Sequence, residues 1–120
     1  MFDDLLLKRF NIREYNCWDL TREVWLRLTG QDLGSPSLTH YSIGEFGEVI
    51  DNWDGTRFLE ITKPKEPCIV LMQRPRHMPH VGVLFKGRVL HIRRAGVQYV
   101  PPEVASLGFT SVRYYVPCTR

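Results

Sequence analysis

The stretch HVGVLFKGRVLHI, residues 80–92, constrains the fold more than any other part of this chain. Two apolar, β-branched runs flank Lys86-Gly87, and a glycine-containing pair between such runs specifies an antiparallel hairpin with a two-residue turn. With that turn, Phe85 pairs with Arg88 and, counting back, Gly82 pairs with His91. Side chains alternate along a strand, so His80 shares a face with Gly82 and becomes a diagonal neighbour of His91. Both imidazoles then point the same way. A one-residue slip would separate them, and Gly82 opposite His91 is expected to leave a gap where another group can enter.

Around this hairpin the pattern predicts further strands over Arg57–Thr62, Cys68–Gln73 and Ser111–Val116, with His80–Phe85 and Arg88–Arg93 as the hairpin itself. Helices precede them. A short one is expected over Asp3–Phe10. The next starts after Asn16, whose side chain can cap it, with Asp19 three residues on completing a capping box. Cys17, Leu20, Val24 and Leu28 fall on one face of that helix, and Gly30 is placed to end it. Ser42 and Glu45 open another helix with Ile43, Phe46, Ile50 and Trp53 on its apolar face. Helices first and a mainly antiparallel sheet afterwards define an α+β class.

A chain of 120 residues with 43% hydrophobic content forms one domain, residues 1–120, with a core large enough to need no staples. The net charge of +3 comes from scattered basic residues, a pattern that does not call for nucleic acid. The start, Met1-Phe-Asp-Asp-Leu, has no basic leader and only a three-leucine run, so neither a signal peptide nor a membrane span is expected, and synthesis is expected in the cytoplasm. Cys17, Cys68 and Cys118 are odd in number with no C-x-x-C pair, which argues against a disulfide framework or a zinc ribbon. His77 and His80 look like a metal pair, but Pro79 forbids a regular helix and a strand would face them oppositely. No metal is expected.

Cys17 raises the chemical question. A thiolate is the useful nucleophile, and a helix N-terminus favours it through unpaired N–H groups and the helix dipole. A histidine can take the proton, and a third polar group can hold that ring in the productive tautomer. Cys17, His80 and His91 can fill these three roles, and the N–H groups at the helix start, that of Cys17 included, can stabilise an oxyanion. Tyr15 and Trp18 can line a cleft beside the thiol, and Arg93 with Arg94 can receive carboxylates of an anionic substrate. Each has a plainer reading: a small core cysteine, structural histidines, core aromatics, a solvated strand end. The joint pattern of helix-start cysteine and paired strand histidines favours catalysis. Cys68 and Cys118 have no such setting and read as a buried strand residue and a tail residue.

At these residues the chain resembles the NlpC-like cysteine peptidases, especially their phage-tail branch. YNCWDLTREVW resembles the nucleophile segment, PHVGVLFKGRVLHI the general-base strand and the strand after it, and HIRRAGVQYVPPEVASL the stretch that follows the third residue in phage-tail members. The resemblance covers roughly Tyr15 to Pro117. It implies a papain-like α+β fold with Cys17 as nucleophile, His80 as base and His91 as orienting residue, and no cofactor. It also implies peptidoglycan stem peptides as substrate, and phage tail proteins as partners of a virion- or tail-associated domain. The common form has aspartate before the cysteine and Ser-Gly after it, where this chain has Asn16, Trp18 and Asp19; Lys65-Glu66-Pro67-Cys68 replaces the familiar Pro-Gly-Asp before the central strand. A non-catalytic tail module of the same fold, or a thiol amidase or acyltransferase, are the alternative expectations.

Overall fold

A computed structural model describes residues 2–11, 15–34, 58–77 and 79–117. It is an α+β structure built on one six-stranded antiparallel sheet. The strands are β1 (Phe58–Ile61), β2 (Cys68–Gln73), β3 (His80–Phe85), β4 (Arg88–Arg93), β5 (Gly96–Val100) and β6 (Ser111–Pro117), in the order β1-β6-β2-β3-β4-β5. Among the described residues the α-helices are α1 (Cys17–Thr29) and the single turn α2 (Pro102–Ala105).

The hairpin forms as its sequence dictates. Phe85 pairs with Arg88, Leu84 with Val89 and Val83 with Leu90. Lys86 and Gly87 both take positive φ, 52° and 77°, the signature of a type I′ turn whose twist matches that of the strands. The Gly87 N–H donates to the Glu66 carboxylate, tying the turn to the segment before β2.

Strand alternation sorts the core into two layers. Ile69, Leu71, Val81, Val83, Leu90, Ile92 and Tyr115 face α1 and pack against Cys17, Trp18, Leu20, Val24 and Trp25. Cys68, Val70, Met72, Leu84 and Val89 face the other way, covered by Ala105 of α2 and by Phe109. Because both faces are covered, the central strands β2, β3 and β4 are nearly all buried.

Helix α1 begins with the expected box. The Asn16 side-chain oxygen accepts from the Trp18 and Asp19 N–H groups at 2.9 and 3.2 Å, and the Asp19 carboxylate accepts from the Asn16 N–H at 2.9 Å. Gly30 ends the helix in the left-handed region, φ 78°, its N–H returning to the Leu26 carbonyl.

Two expectations are corrected, and one strand joins the expected set. Asp3–Phe10 holds only a 3₁₀ turn, Leu5–Leu7, because Asp4 makes no cap bond and Leu5 alone is buried there; one anchoring side chain does not sustain longer helix. A fifth strand of the chain, β5, follows β4 through Arg94-Ala95, a pair without turn chemistry of its own, and its pairing to β4 along the whole strand supplies the stability. The gap expected beside Gly82 is closed: a Cβ there would stand 2.8 Å from the Leu90 carbonyl oxygen and 3.0 Å from the His91 Cβ. The missing side chain lets β3 and β4 approach instead of leaving a pocket. The helix expected after Ser42 and the tail residue Cys118 lie outside the described residues.

Candidate active site

His80 and His91 are brought together as the hairpin register requires. His80 Nε2 lies 2.7 Å from His91 Nδ1, with ring centroids 5.0 Å apart and planes at 72°. The His80 ring is also stacked on Phe109, 5.7 Å between centroids and 4° between planes. Phe109 is also covered by the Arg93 guanidinium, 5.6 Å from its centroid. The His80 plane is therefore fixed by one hydrogen bond and one stacking partner. Its other nitrogen, Nδ1, makes no hydrogen bond among the described residues.

His91 is fully buried, and its Nε2 has no hydrogen-bond partner among the described residues. Both rings are held neutral. Burial, followed by the charges of His91 and Arg93, pushes His80 down to about 3, and burial with Arg93 pushes His91 down to about 4. Gln98, directly across from His91 on β5, pulls the other way by favouring the charged ring.

Cys17 is placed differently from the expectation. It sits in the α1-side layer with Val81, whereas His80 pairs across the sheet with Met72 of the opposite layer and stacks on Phe109 there. No hydrogen bond links the thiol to either imidazole. What lies between them is the end of β3: the main-chain N–H of Val81, the residue next to His80, reaches the thiol and favours its ionised form, as do the N–H groups of Trp18 and Cys17. Burial outweighs all three and pushes the Cys17 thiol up to about 12, opposite to the lowering expected from the helix N-terminus. The helix-start donors are also fewer than expected. Trp18 and Asp19 spend their N–H groups on the Asn16 cap and Leu20 donates to the Asn16 carbonyl, leaving the Cys17 N–H as the donor for an oxyanion.

The substrate-binding candidates divide. Trp18 is fully buried, its Nε1 donating to the Gly34 carbonyl at 2.9 Å and its ring edge-on to Phe58. It is a core residue, and the cleft role is corrected. Packing decided this, because a tryptophan after the cap residue fits a core and a cleft equally well in sequence. Tyr15 is half-buried and donates to Glu23 at 2.8 Å, and burial with that carboxylate raises its phenol well above the usual range. It lines an open hollow of about 310 Å³ on the outer side of α1 with Asp19, Arg22 and Asp32. Arg93 lies beside the histidines, covering Phe109. Phe109 is the residue that sequence reading missed; nothing in LGFTS marks it, since its role comes from the return of the chain after α2. His77 donates from Nδ1 to the Pro75 carbonyl and is exposed. Among the described residues no group of three His, Cys, Asp or Glu side chains is arranged to hold a metal, and no helix is long and apolar enough to cross a membrane.

Compared with models of protein families, with curated proteins and with solved structures, the chain matches none.

Proposed function

We propose that this chain is a papain-like cysteine hydrolase of the NlpC type that cleaves peptide bonds in bacterial peptidoglycan, in the setting of a phage or prophage tail. The observation that carries the reading is the use of the two nitrogens of His80. Nε2 is committed to His91 at 2.7 Å and Nδ1 makes no hydrogen bond among the described residues, at the strand end whose Val81 N–H reaches the Cys17 thiol. A ring oriented through one nitrogen and available at the other supplies two of the requirements of a general base; the third, reach to the thiol, requires Cys17 and His80, which stand on opposite faces of the sheet at rest, to meet around the end of β3 when substrate binds.

In this reading the resting thiol is neutral. As the thiol attacks the amide carbonyl, its proton passes to His80 Nδ1, and the sulfur–carbon bond forms while the carbonyl electrons move onto oxygen, stabilised by the Cys17 N–H. The tetrahedral intermediate collapses, the imidazolium gives its proton to the leaving amine, and water then releases the acyl group by the same route in reverse. His91 stays hydrogen-bonded throughout and stabilises the charged ring. The peptidoglycan substrate and the tail setting rest on the sequence resemblance.

A second reading is a non-catalytic tail module. It is favoured by one observation: Cys17 is only 7% exposed and lies in the layer opposite the histidines. Incubating the pure protein with soluble muropeptides, followed by mass identification of products, decides between them. New peptide termini that disappear with Cys17→Ala support the hydrolase; a transferred acyl group instead of a free acid identifies a thiol acyltransferase; no change of mass supports the module.

A further inference from the structure

The histidine pair contains a proton question that its two members cannot answer alone. For Nδ1 of His80 to accept the thiol proton, neutral His80 must carry its own proton on Nε2 and donate it to His91 Nδ1, 2.7 Å away. His91 must then be protonated on Nε2. That atom is buried without a partner among the described residues. In the reverse arrangement His91 donates from Nδ1, His80 is protonated on its free nitrogen, and the base is blocked. Leaving a buried N–H unpaired favours this unproductive arrangement, because a bare nitrogen lone pair is less costly to bury than a bare donor.

We infer that Gln98 is the positioning residue that settles this choice, its side-chain carbonyl accepting the His91 Nε2–H. The inference rests on the hydrolase reading for its catalytic consequence, but its structural content stands apart from it. Gln98 is the direct cross-strand partner of His91, so the two side chains rise from the same face of the sheet. Its neighbours Val97 and Tyr99 turn to the α1 layer while Val100 joins the α2 layer, which confirms the side on which Gln98 lies. It is half-buried, close enough to favour the charged His91 ring, and a turn of its terminal amide brings an acceptor to the orphaned nitrogen. No other described side chain stands directly opposite His91 on β5. The relay then runs Gln98, His91, His80, Cys17, with only the last proton moving.

The test is ¹⁵N NMR of the imidazoles in the full chain near neutral pH, read alongside muropeptide turnover. Wild type is expected to show His91 as the Nε2–H tautomer. Gln98→Met, similar in size but without an acceptor, is expected to shift His91 toward Nδ1–H and to lower kcat by about tenfold or more with KM little changed, as loss of a correctly held base does. Gln98→Glu, which retains an acceptor, is expected to restore both. A wild-type His91 in the Nδ1–H form, or a tautomer unchanged in Gln98→Met, overturns the assignment; the wild-type measurement does so even if the Met variant does not fold. A wild-type Nε2–H tautomer together with no muropeptide cleavage leaves Gln98 in place and removes the hydrolase reading instead.

Discussion

His80 and His91 stand 2.7 Å apart, nitrogen to nitrogen, at diagonal positions of one hairpin, and Gly82 between them is what permits the distance. A Cβ on Gly82 would collide with the Leu90 carbonyl oxygen and crowd the His91 Cβ, so its absence lets β3 lie this close to β4. The hydrogen bond between the rings and the missing side chain are two aspects of one packing arrangement.

Gly82→Ala is therefore expected to destabilise the fold by about 1–3 kcal/mol, the usual cost of forcing a methyl group into a closed core. The methyl would stand 2.8 Å from a main-chain oxygen, which cannot swing aside as a side-chain end can. Urea unfolding measures the loss. A variant as stable as wild type would show that β3 and β4 do not approach this closely.

Substitutions of the histidines separate orientation from proton transfer. His80→Ala is expected to abolish muropeptide cleavage with the fold retained. His91→Asn is expected to keep more activity than His91→Ala, since an amide oxygen can replace the Nδ1 that receives the His80 proton. Steady-state kinetics with circular dichroism checks both. If His80→Ala retains most of the activity, the base lies elsewhere.

Acid should unfold the protein through this pair. Both rings are depressed from the ordinary 6.5, to about 3 and about 4, so below pH 6.5 the unfolded chain binds protons that the folded one refuses. Their contribution to stability is full above about pH 6.5 and is lost as pH falls toward 3. Thermal midpoints across this range should drop steeply for wild type and less for His91→Asn, which removes one titrating ring. The Asp4 and Asp32 carboxylates, held down to about 2 by Arg27 and Arg22, act only at lower pH. Parallel curves for the two proteins would mean the histidines are not buried and neutral.

The thiol makes a prediction in the opposite direction. Cys17 is pushed up to about 12 and Cys68 to about 11, burial leading in both. Alkylation of Cys17 in the folded protein is expected to be slow at neutral pH and to climb through the alkaline range without an inflection between pH 5 and 8. Peptide mapping after timed labelling gives the profile. An inflection in that window would reveal a preformed thiolate–imidazolium pair and contradict a thiol activated only during attack. The same shift stabilises the fold below pH 9 and withdraws that support as pH rises toward 12.

Local rules carried far in this chain. The β3–β4 register was readable because a period of two and a Lys-Gly turn admit one pairing that buries the valines. The start of α1 was readable because Asn16 and Asp19 satisfy each other's backbone within one turn. That register sets His80 and His91 on one face as diagonal neighbours, and the bare Gly82 lets them meet. Tertiary structure decided the rest, where the partner is distant in sequence: β5 exists because β4 offers it a complete edge, and Trp18 became core because Phe58 and Gly34 close over it. Phe109 reached His80 only through the path of the chain after α2. The thiol shows the division most clearly. Its place at a helix N-terminus is local and favours ionisation, but its protonation follows burial by the whole α1-side layer, and desolvation in a closed core outweighs a few oriented N–H groups.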